Sequence, residues 1–352
     1  MWHWLPSAPS ENPDSLEIMK LAATFVAGLG GIVALTVAYR KQREQELRRD
    51  SLRLDAAAQQ LGSDDGAIRL AGVYAAAALA DESARLRPAV VQLMCAYLRL
   101  NRASDGPVQQ TILEAIAQRT QRSAAAVRSW SAYNLDLHGI VVGDRLGWIN
   151  CRFDGTVNLE GVTFQHDVQM VMTEFNGQLV LNEARFERQV MAFYARFNGT
   201  VLMNKTVFNQ GIGAIGAHFS GGLQANSAEF RQGATFSRSQ FTNGATFSRS
   251  KFDGAAFDHC VFARGTAGHQ SDAVHNGDAY FRGAHFDGAN FSDTVFRAKA
   301  WFDDAEFSGD APTFASVRFL DGGSIERATF PGTVPEALRE LATPEGAGEP
   351  RS

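Results

Sequence analysis

The side chains best suited to chemistry lie together in one short stretch, between residues 263 and 278. This stretch contains His269, Asp272, His275 and Asp278. Imidazole and carboxylate groups at such spacing can bind a metal ion. The stretch is also rich in turn residues and interrupts a regular pattern, so we interpret it as a polar loop that leaves a rigid scaffold at a corner. A metal or ligand sensor is the alternative, and we assign no cofactor, metal ligand or catalytic residue to the chain.

No other motif in the sequence indicates catalysis. The chain has no Cys-x-x-Cys pair, no Gly-rich phosphate loop and no Ser/His/Asp arrangement in a recognisable context. The glycine-rich run at 28–31 falls inside an apolar segment, so it is not a nucleotide loop. We therefore expect a protein that is not an enzyme.

The pattern that the polar stretch interrupts is a phenylalanine every eleven residues. Of the 25 phenylalanines, 24 fall between Phe153 and Phe330. A strict period of this kind is typical of a solenoid. The regular members are Phe153, Phe164, Phe175, Phe186, Phe197, Phe208, Phe219, Phe230, Phe241 and Phe252.

A second apolar position divides each eleven-residue unit into steps of six and five, as in Phe153, Leu159 and Phe164. A helix cannot place positions five apart on one face, because its turn is 3.6 residues. A small or branched residue two positions before each large one points the same way in extended chain. We predict very short strands joined by corners, four sides to a coil, with roughly 8–9 coils stacked at strand spacing.

Several of these stretches resemble the pentapeptide-repeat family, notably 255–259 (AAFDH), 284–288 (AHFDG) and 289–293 (ANFSD). The resemblance implies a mainly β fold, a right-handed quadrilateral β-helix over 135–330 with a loop insertion at 263–278. The alternating steps resemble the branch of the family with eleven-residue units. The helical segment at 61–99 resembles that of membrane-anchored actinobacterial members.

Charge and cysteine content exclude some classes of function. The formal net charge is −5, and residues 136–335 contain 21 acidic and 16 basic side chains. This is not the basic surface that nucleic-acid binding requires, and it is a weak imitation of DNA. We expect no direct binding of nucleic acid. The three cysteines, Cys95, Cys151 and Cys260, form no disulfide framework and are expected to be packed thiols.

An uncharged stretch of nineteen residues runs from Leu21 to Tyr39. Its length suits one crossing of a bilayer, so we predict a transmembrane helix at 17–40. Arg40 and the basic residues after it place the following chain in the cytoplasm and residues 1–16 outside, in a single-pass protein of the cell membrane. Ala23, Ala27 and Gly31 form a stripe of small residues that would allow homo-oligomerisation through this helix.

The rest of the chain divides into a spacer, two caps and a tail. Residues 41–63 are expected to form a charged linker helix, and 64–130 a helical module that caps the amino-terminal coil. Residues 331–352 would form a carboxy-terminal cap and a disordered tail.

Two function classes compete with a sensor. The preferred prediction is a membrane-anchored cytoplasmic scaffold whose β-helix binds an unidentified protein partner. The family resemblance implies a second one, since some soluble members mimic DNA and bind DNA gyrase, which would make this chain a modulator of a topoisomerase.

Overall fold

The computed structural model describes residues 15–100, 105–264 and 277–342. The chain forms two compact units, Met1–Asp55 and Ala56–Ser352. The histidines and aspartate at 269, 272 and 275 lie outside the described residues, as do residues 1–14 and the tail from 343.

Helix α1 runs without a break over Ser15–Leu61. Within the described residues, no helix provides a stretch that is both long and apolar enough for a membrane crossing. The predicted transmembrane helix at 17–40 is therefore not supported. The side chains at 17–18, 21–22 and 26–30, which belong to that prediction, lie outside the described residues.

Three shorter helices follow: α2 (Gly66–Glu82), α3 (Arg87–Leu100) and α4 (Gly106–Thr120). Asp65 begins α2 as its N-cap, because its carboxylate accepts a hydrogen bond from the Ala67 backbone N–H at 2.8 Å. The helices pack through a shared apolar core that includes Val73, Val90 and Ile112. A 3₁₀ turn at Ala126–Arg128 leads into the strands.

The strands are very short, and most contain two residues. In chain order they are β1 (Leu135–Asp136), β2 (Val141–Val142), β3 (Leu146–Gly147), β4 (Arg152–Phe153), β5 (Val157–Asn158), β6 (Thr163–Phe164), β7 (Val168–Gln169), β8 (Glu174–Phe175), β9 (Leu179–Val180), β10 (Arg185–Phe186), β11 (Val190–Met191), β12 (Arg196–Phe197), β13 (Val201–Leu202), β14 (Val207–Phe208), β15 (Ile212–Gly213), β16 (His218–Phe219), β17 (Leu223–Gln224), β18 (Glu229–Phe230), β19 (Ala234–Thr235), β20 (Gln240–Phe241), β21 (Ala245–Thr246), β22 (Lys251–Ala256), β23 (Val261–Phe262), β24 (Ala279–Tyr280), β25 (His285–Asn290), β26 (Val295–Phe296), β27 (Ala300–Trp301), β28 (Glu306–Ser308), β29 (Arg318–Phe319) and β30 (Gly323–Ser324).

These strands stack in parallel into a mainly β solenoid of about eight turns, with four faces. The first face is the nine-stranded sheet from β1 to β30, and the fourth is the eight-stranded sheet from β4 to β29. The second face runs from β2 through β18 to β28, and the third from β3 through β19. Strands β22 and β25 each turn a corner, so the second and third faces join into one sheet there.

Stacked phenylalanine rings fill the interior of the solenoid. On the fourth face Phe175 pairs in register with Phe197, and on the second face Phe186 pairs with Phe208. Stacked neighbours repeat at centroid distances from 4.6 to 5.4 Å. All ten regularly spaced phenylalanines are buried, with Phe197 only 4% exposed.

The other two faces contribute smaller interior groups in the first coils, where Ala192 and Ala214 lie among the phenylalanines. A residual apolar cavity of about 20 Å³ remains beside them. Further along the chain, Phe236 and Phe257 fill the same positions and make edge-to-face contacts with their neighbours.

The helical module satisfies the exposed backbone edge of the first coil. The side-chain amide of Gln109, on α4, donates to the Val141 carbonyl at 2.8 Å and accepts from the Gly143 N–H at 3.0 Å. Arg99 of α3 donates to the Asp136 carbonyl at 2.6 Å. These side chains make the hydrogen bonds that a preceding coil would make, which removes an open strand edge.

A 3₁₀ helix at Glu336–Ala342 lies at the other end of the solenoid and contacts β30. Its Leu338 is fully buried, although the outermost Phe319 and Phe330 are only partly covered.

All three cysteines are free and buried. Burial raises the pKa of the Cys260 thiol to about 12 and that of Cys95 to about 11. Both thiols stay protonated near neutral pH, which makes them poor nucleophiles and poor metal ligands.

Candidate protein-interaction surface

Asp278 is the only one of the four predicted metal-ligand candidates that the structure describes, and it is buried. Its carboxylate accepts hydrogen bonds from the Trp301 indole N–H at 3.2 Å, the Tyr280 hydroxyl at 3.3 Å and the Lys299 backbone N–H at 3.1 Å. Across the described ranges, no group of three or more His, Cys, Asp or Glu side chains could hold a metal ion. The structure therefore gives Asp278 a role in fixing its neighbours on the first face.

Sequence reasoning did not identify these neighbours as a cluster. Tyr280 and Trp301 stack at 6.2 Å on successive coils, and the Arg282 guanidinium lies 4.5 Å from the Trp301 ring centroid. Arg282 also forms an ion pair with Asp303 at 3.1 Å. Each polar group is thus already engaged within the cluster, which makes it a structural feature of the first face.

The third face carries an exposed group of apolar side chains over its first four coils, which we call the apolar patch. Tyr194 is 62% exposed, Met172 50% and Ile149 42%, and the remaining members are partly exposed. The patch comprises Ile149, Val171, Met172, Met191, Phe193, Tyr194 and Ile215.

Backbone register aligns the patch in two columns along the direction of stacking. The Met172 N–H donates to the Phe193 carbonyl, and the Tyr194 N–H donates to the Ile215 carbonyl, both at 2.9 Å. One column is therefore Ile149, Val171, Phe193 and Ile215, with one residue on each coil. Met172 and Tyr194 form the second column beside it.

Glycines on the next coil give the aromatic side chains of the patch room to lie against the backbone. A Cβ atom on Gly213 would stand 2.6 Å from the Phe193 ring, and one on Gly216 would stand 2.8 Å from the Tyr194 ring. The two rings therefore lie directly over bare backbone. This support holds them in place, so they lose little side-chain freedom when a partner binds.

Two bulky members of the patch have left-handed backbone conformations. Met172 has φ 53° and Tyr194 has φ 55°. Asn150 and Gly216 adopt the same conformation at equivalent corners of the neighbouring coils. The same conformation recurs at corners outside the patch, as at Glu183, Lys205 and Arg238, so it belongs to the turn of each coil.

Arginines border the patch on three sides. Arg188 precedes β11, Arg196 lies on β12 of the adjoining fourth face, and Arg238 follows the patch column two coils beyond Tyr194. All three are exposed, and none has an ion pair or side-chain hydrogen bond within the described part of the chain. Burial, together with the charge of Arg196, lowers the pKa of the nearby His218.

The surface becomes polar where the third face continues beyond Ile215. Ser237, Asp258 and Ser292 take the equivalent outward positions there, and Ser237 donates a hydrogen bond to Asp258. The apolar patch therefore ends at a defined coil.

Sequence reasoning missed the patch because it followed only the large residues at the alternating steps of six and five. Phe193 provides the signal that was overlooked, since it falls one residue after the inward Ala192 and outside the alternating steps of six and five. Ile149, Val171 and Ile215 stand at the same offset from Trp148, Met170 and Ala214.

Comparison with known proteins agrees with the repeat fold. Residues 277–298 match a family model described as pentapeptide repeats (8 copies). No curated protein and no solved structure matches the chain. The match covers a short part of the chain, and the four-sided stack of very short parallel strands agrees with a repeat protein.

Proposed function

We propose that this protein is a non-enzymatic scaffold that binds a protein partner through the apolar patch on its third face. The observation that carries the proposal is the patch itself, an exposed apolar group held on stiff, regularly paired coils. Large exposed apolar groups rimmed by polar residues mark interaction sites.

The energetics of the patch fit this role. Full burial of an exposed Met or Phe side chain contributes about 1.5–3 kcal/mol, so covering Met172, which is 50% exposed, contributes about half of that. Aromatic and arginine side chains dominate the binding energy of protein interfaces, and the patch and its border provide both. The backbone beneath the patch is already paired, so binding requires no reorganisation of the solenoid.

Photocrosslinking in the source cells tests the proposal. A photoreactive phenylalanine analogue would replace Phe193 in the full-length chain, and the control would carry it in place of Ser237, at the equivalent position two coils along. We expect a discrete crosslinked protein from position 193 and none from 237. Absence of a product at 193, or the same products from both positions, would refute the proposal.

We also propose that the amino-terminal helix attaches the scaffold to the cell membrane, with the solenoid in the cytoplasm. The sequence supports this through the uncharged stretch from Leu21 to Tyr39 and the basic residues after it. Homo-oligomerisation through that stretch belongs to the same proposal. Extraction by alkaline carbonate would contradict attachment, and protease sensitivity of the solenoid in intact cells would contradict the orientation.

A further inference from the structure

We infer that the segment of the partner that docks on the apolar patch is an acidic amphipathic α-helix lying along the direction of coil stacking. This inference rests on the proposed function and specifies the chemistry of the occupant. It follows from the spacing of the patch, the state of its backbone and the charges at its border.

The spacing of the patch matches a helix better than an extended chain. Its main column has one side chain per coil, and the interior rings show that coils repeat at distances such as 4.7 and 5.4 Å. One face of an α-helix presents a side chain every turn, about 5.4 Å, whereas one face of a strand does so about every 6.7 Å. Over the three steps from Ile149 to Ile215, the side chains on one face of a helix fall out of alignment with the column by about 1 Å. Those on one face of a strand fall out of alignment by about 5 Å.

The backbone of the third face excludes pairing with an added strand at the patch. Strands β7, β11 and β15 are each paired on both sides within the sheet. Their backbone groups are thus engaged, and a partner can contact this face only through side chains. Docking through an apolar stripe is the way in which an amphipathic helix binds a surface.

Positive charge predominates at the border of the patch. Arg188, Arg196 and Arg238 have no ionic partner in the described part of the chain. Of the carboxylates close by, Glu187 is paired with Arg185 and accepts a hydrogen bond from Asn209. Glu174, in register with Arg196, accepts a hydrogen bond from the neutral Asn198 amide at 3.3 Å and keeps its charge, so Arg188 and Arg238 carry the excess positive charge. Unengaged cations around an apolar column favour carboxylates that flank the apolar stripe of the partner.

Direct binding measurements with the full-length protein in detergent test this inference. The probes are two stapled helical peptides of about 18 residues, with leucine along one face and either glutamate or lysine elsewhere. We expect the glutamate peptide to bind about tenfold more tightly than the lysine peptide, and added salt to reduce the difference.

Variants separate the apolar contribution from the charge contribution. Phe193→Ser should weaken both peptides about tenfold, because it removes an aromatic anchor. The double variant Arg188→Ala/Arg238→Ala should reduce the preference for glutamate to about threefold or less. Ser237→Ala, outside the patch, should change neither affinity.

Each contrary result identifies what has failed. Equal or tighter binding of the lysine peptide overturns the inference, and so does a preference for glutamate that survives removal of the arginines. Binding of phosphatidylglycerol vesicles that competes with the glutamate peptide and requires Phe193 would assign the patch to an anionic membrane instead. Self-association that Phe193→Ser abolishes would assign it to a second copy of the chain. In these cases, a discrete crosslinked partner at position 193 would leave the proposed function standing while the acidic helix is rejected.

Discussion

The third face of the solenoid has two halves that share one backbone and differ in where they place apolar bulk. In the first half, Ala192 and Ala214 point inward, whereas Phe193 and Ile215 point outward. In the second half, Phe236 and Phe257 fill the interior, whereas Ser237 and Asp258 face solvent. Since the second half stacks well with polar outward groups, the outward bulk of the first half is not needed to form the coil.

The largest effect that this comparison predicts is on stability and concerns inward residues. Phe208→Ala should lower the free energy of unfolding by about 3–5 kcal/mol, because its ring stacks on Phe186 at 4.8 Å and on Phe230 at 5.1 Å. Phe193→Ala, which truncates an outward ring, should cost about 1 kcal/mol. Thermal unfolding followed by circular dichroism measures both, and equal losses would contradict the assignment of Phe193 to the surface.

The next prediction concerns a variant in which both halves of the third face carry polar outward side chains. The triple variant Val171→Ser/Phe193→Ser/Ile215→Ser gives the first half the outward chemistry of the second. We expect capture of the partner to fall at least about tenfold while the melting temperature moves by only a few degrees. If the variant unfolded, the outward apolar groups would be needed to form the coil, which would contradict the comparison with the second half.

A smaller effect is expected when the backbone beneath the patch is changed while the side chains of the patch stay the same. Gly213→Ala would place a Cβ atom 2.6 Å from the Phe193 ring, so the ring must move, although the patch loses no atom. Gly147 occupies the same outward position on the first coil, and a methyl group placed there would have no neighbour within 4 Å. We expect Gly213→Ala to weaken affinity for the partner about threefold to tenfold and Gly147→Ala to leave it unchanged. Equal affinities for the two variants would mean that the position of the Phe193 ring does not matter.

The smallest prediction concerns pH at the border of the patch. Because the pKa of His218 is lower in the fold than in the unfolded chain, the stabilisation from its neutral form is complete above about pH 6.5 and is lost as pH falls through the folded pKa. Acidification from about pH 7.5 to about pH 5 should therefore lower the melting temperature slightly more in the wild-type protein than in His218→Gln. Identical acid shifts in the two proteins would contradict this contribution of His218.

Much of the solenoid could be predicted from sequence because its core repeats strictly. Inward positions such as Phe186 and Phe208 meet the same neighbours on every coil, so spacing alone gives the four faces and their register. The patch was missed because outward positions follow no repeat. Phe193 is distinguished from a core phenylalanine only by its offset of one residue.

The capping contacts depend on distance in space rather than on local pattern. Nothing in the sequence distinguishes Gln109 from the other polar residues of α4. Its hydrogen bond to the first coil is evident only in the folded chain. The aromatic cluster around Asp278 has the same origin, because its members come from different coils. The helical module that contributes Gln109 was nevertheless expected on physical grounds, because an open strand edge must be covered.

The long insertion after Phe262 has a consequence for the integrity of the solenoid. Coils on its two sides remain paired in register, with Ala245 against Ala279 and Val261 against Val295. Phenylalanine stacking also continues across it, from Phe247 to Phe281 at 5.4 Å. Strand pairing and ring stacking between coils, rather than the covalent chain at this corner, therefore hold the solenoid together here. A protein cut once by a protease between Arg264 and Gly277 should still migrate as one particle in gel filtration and separate into two fragments only when it is denatured.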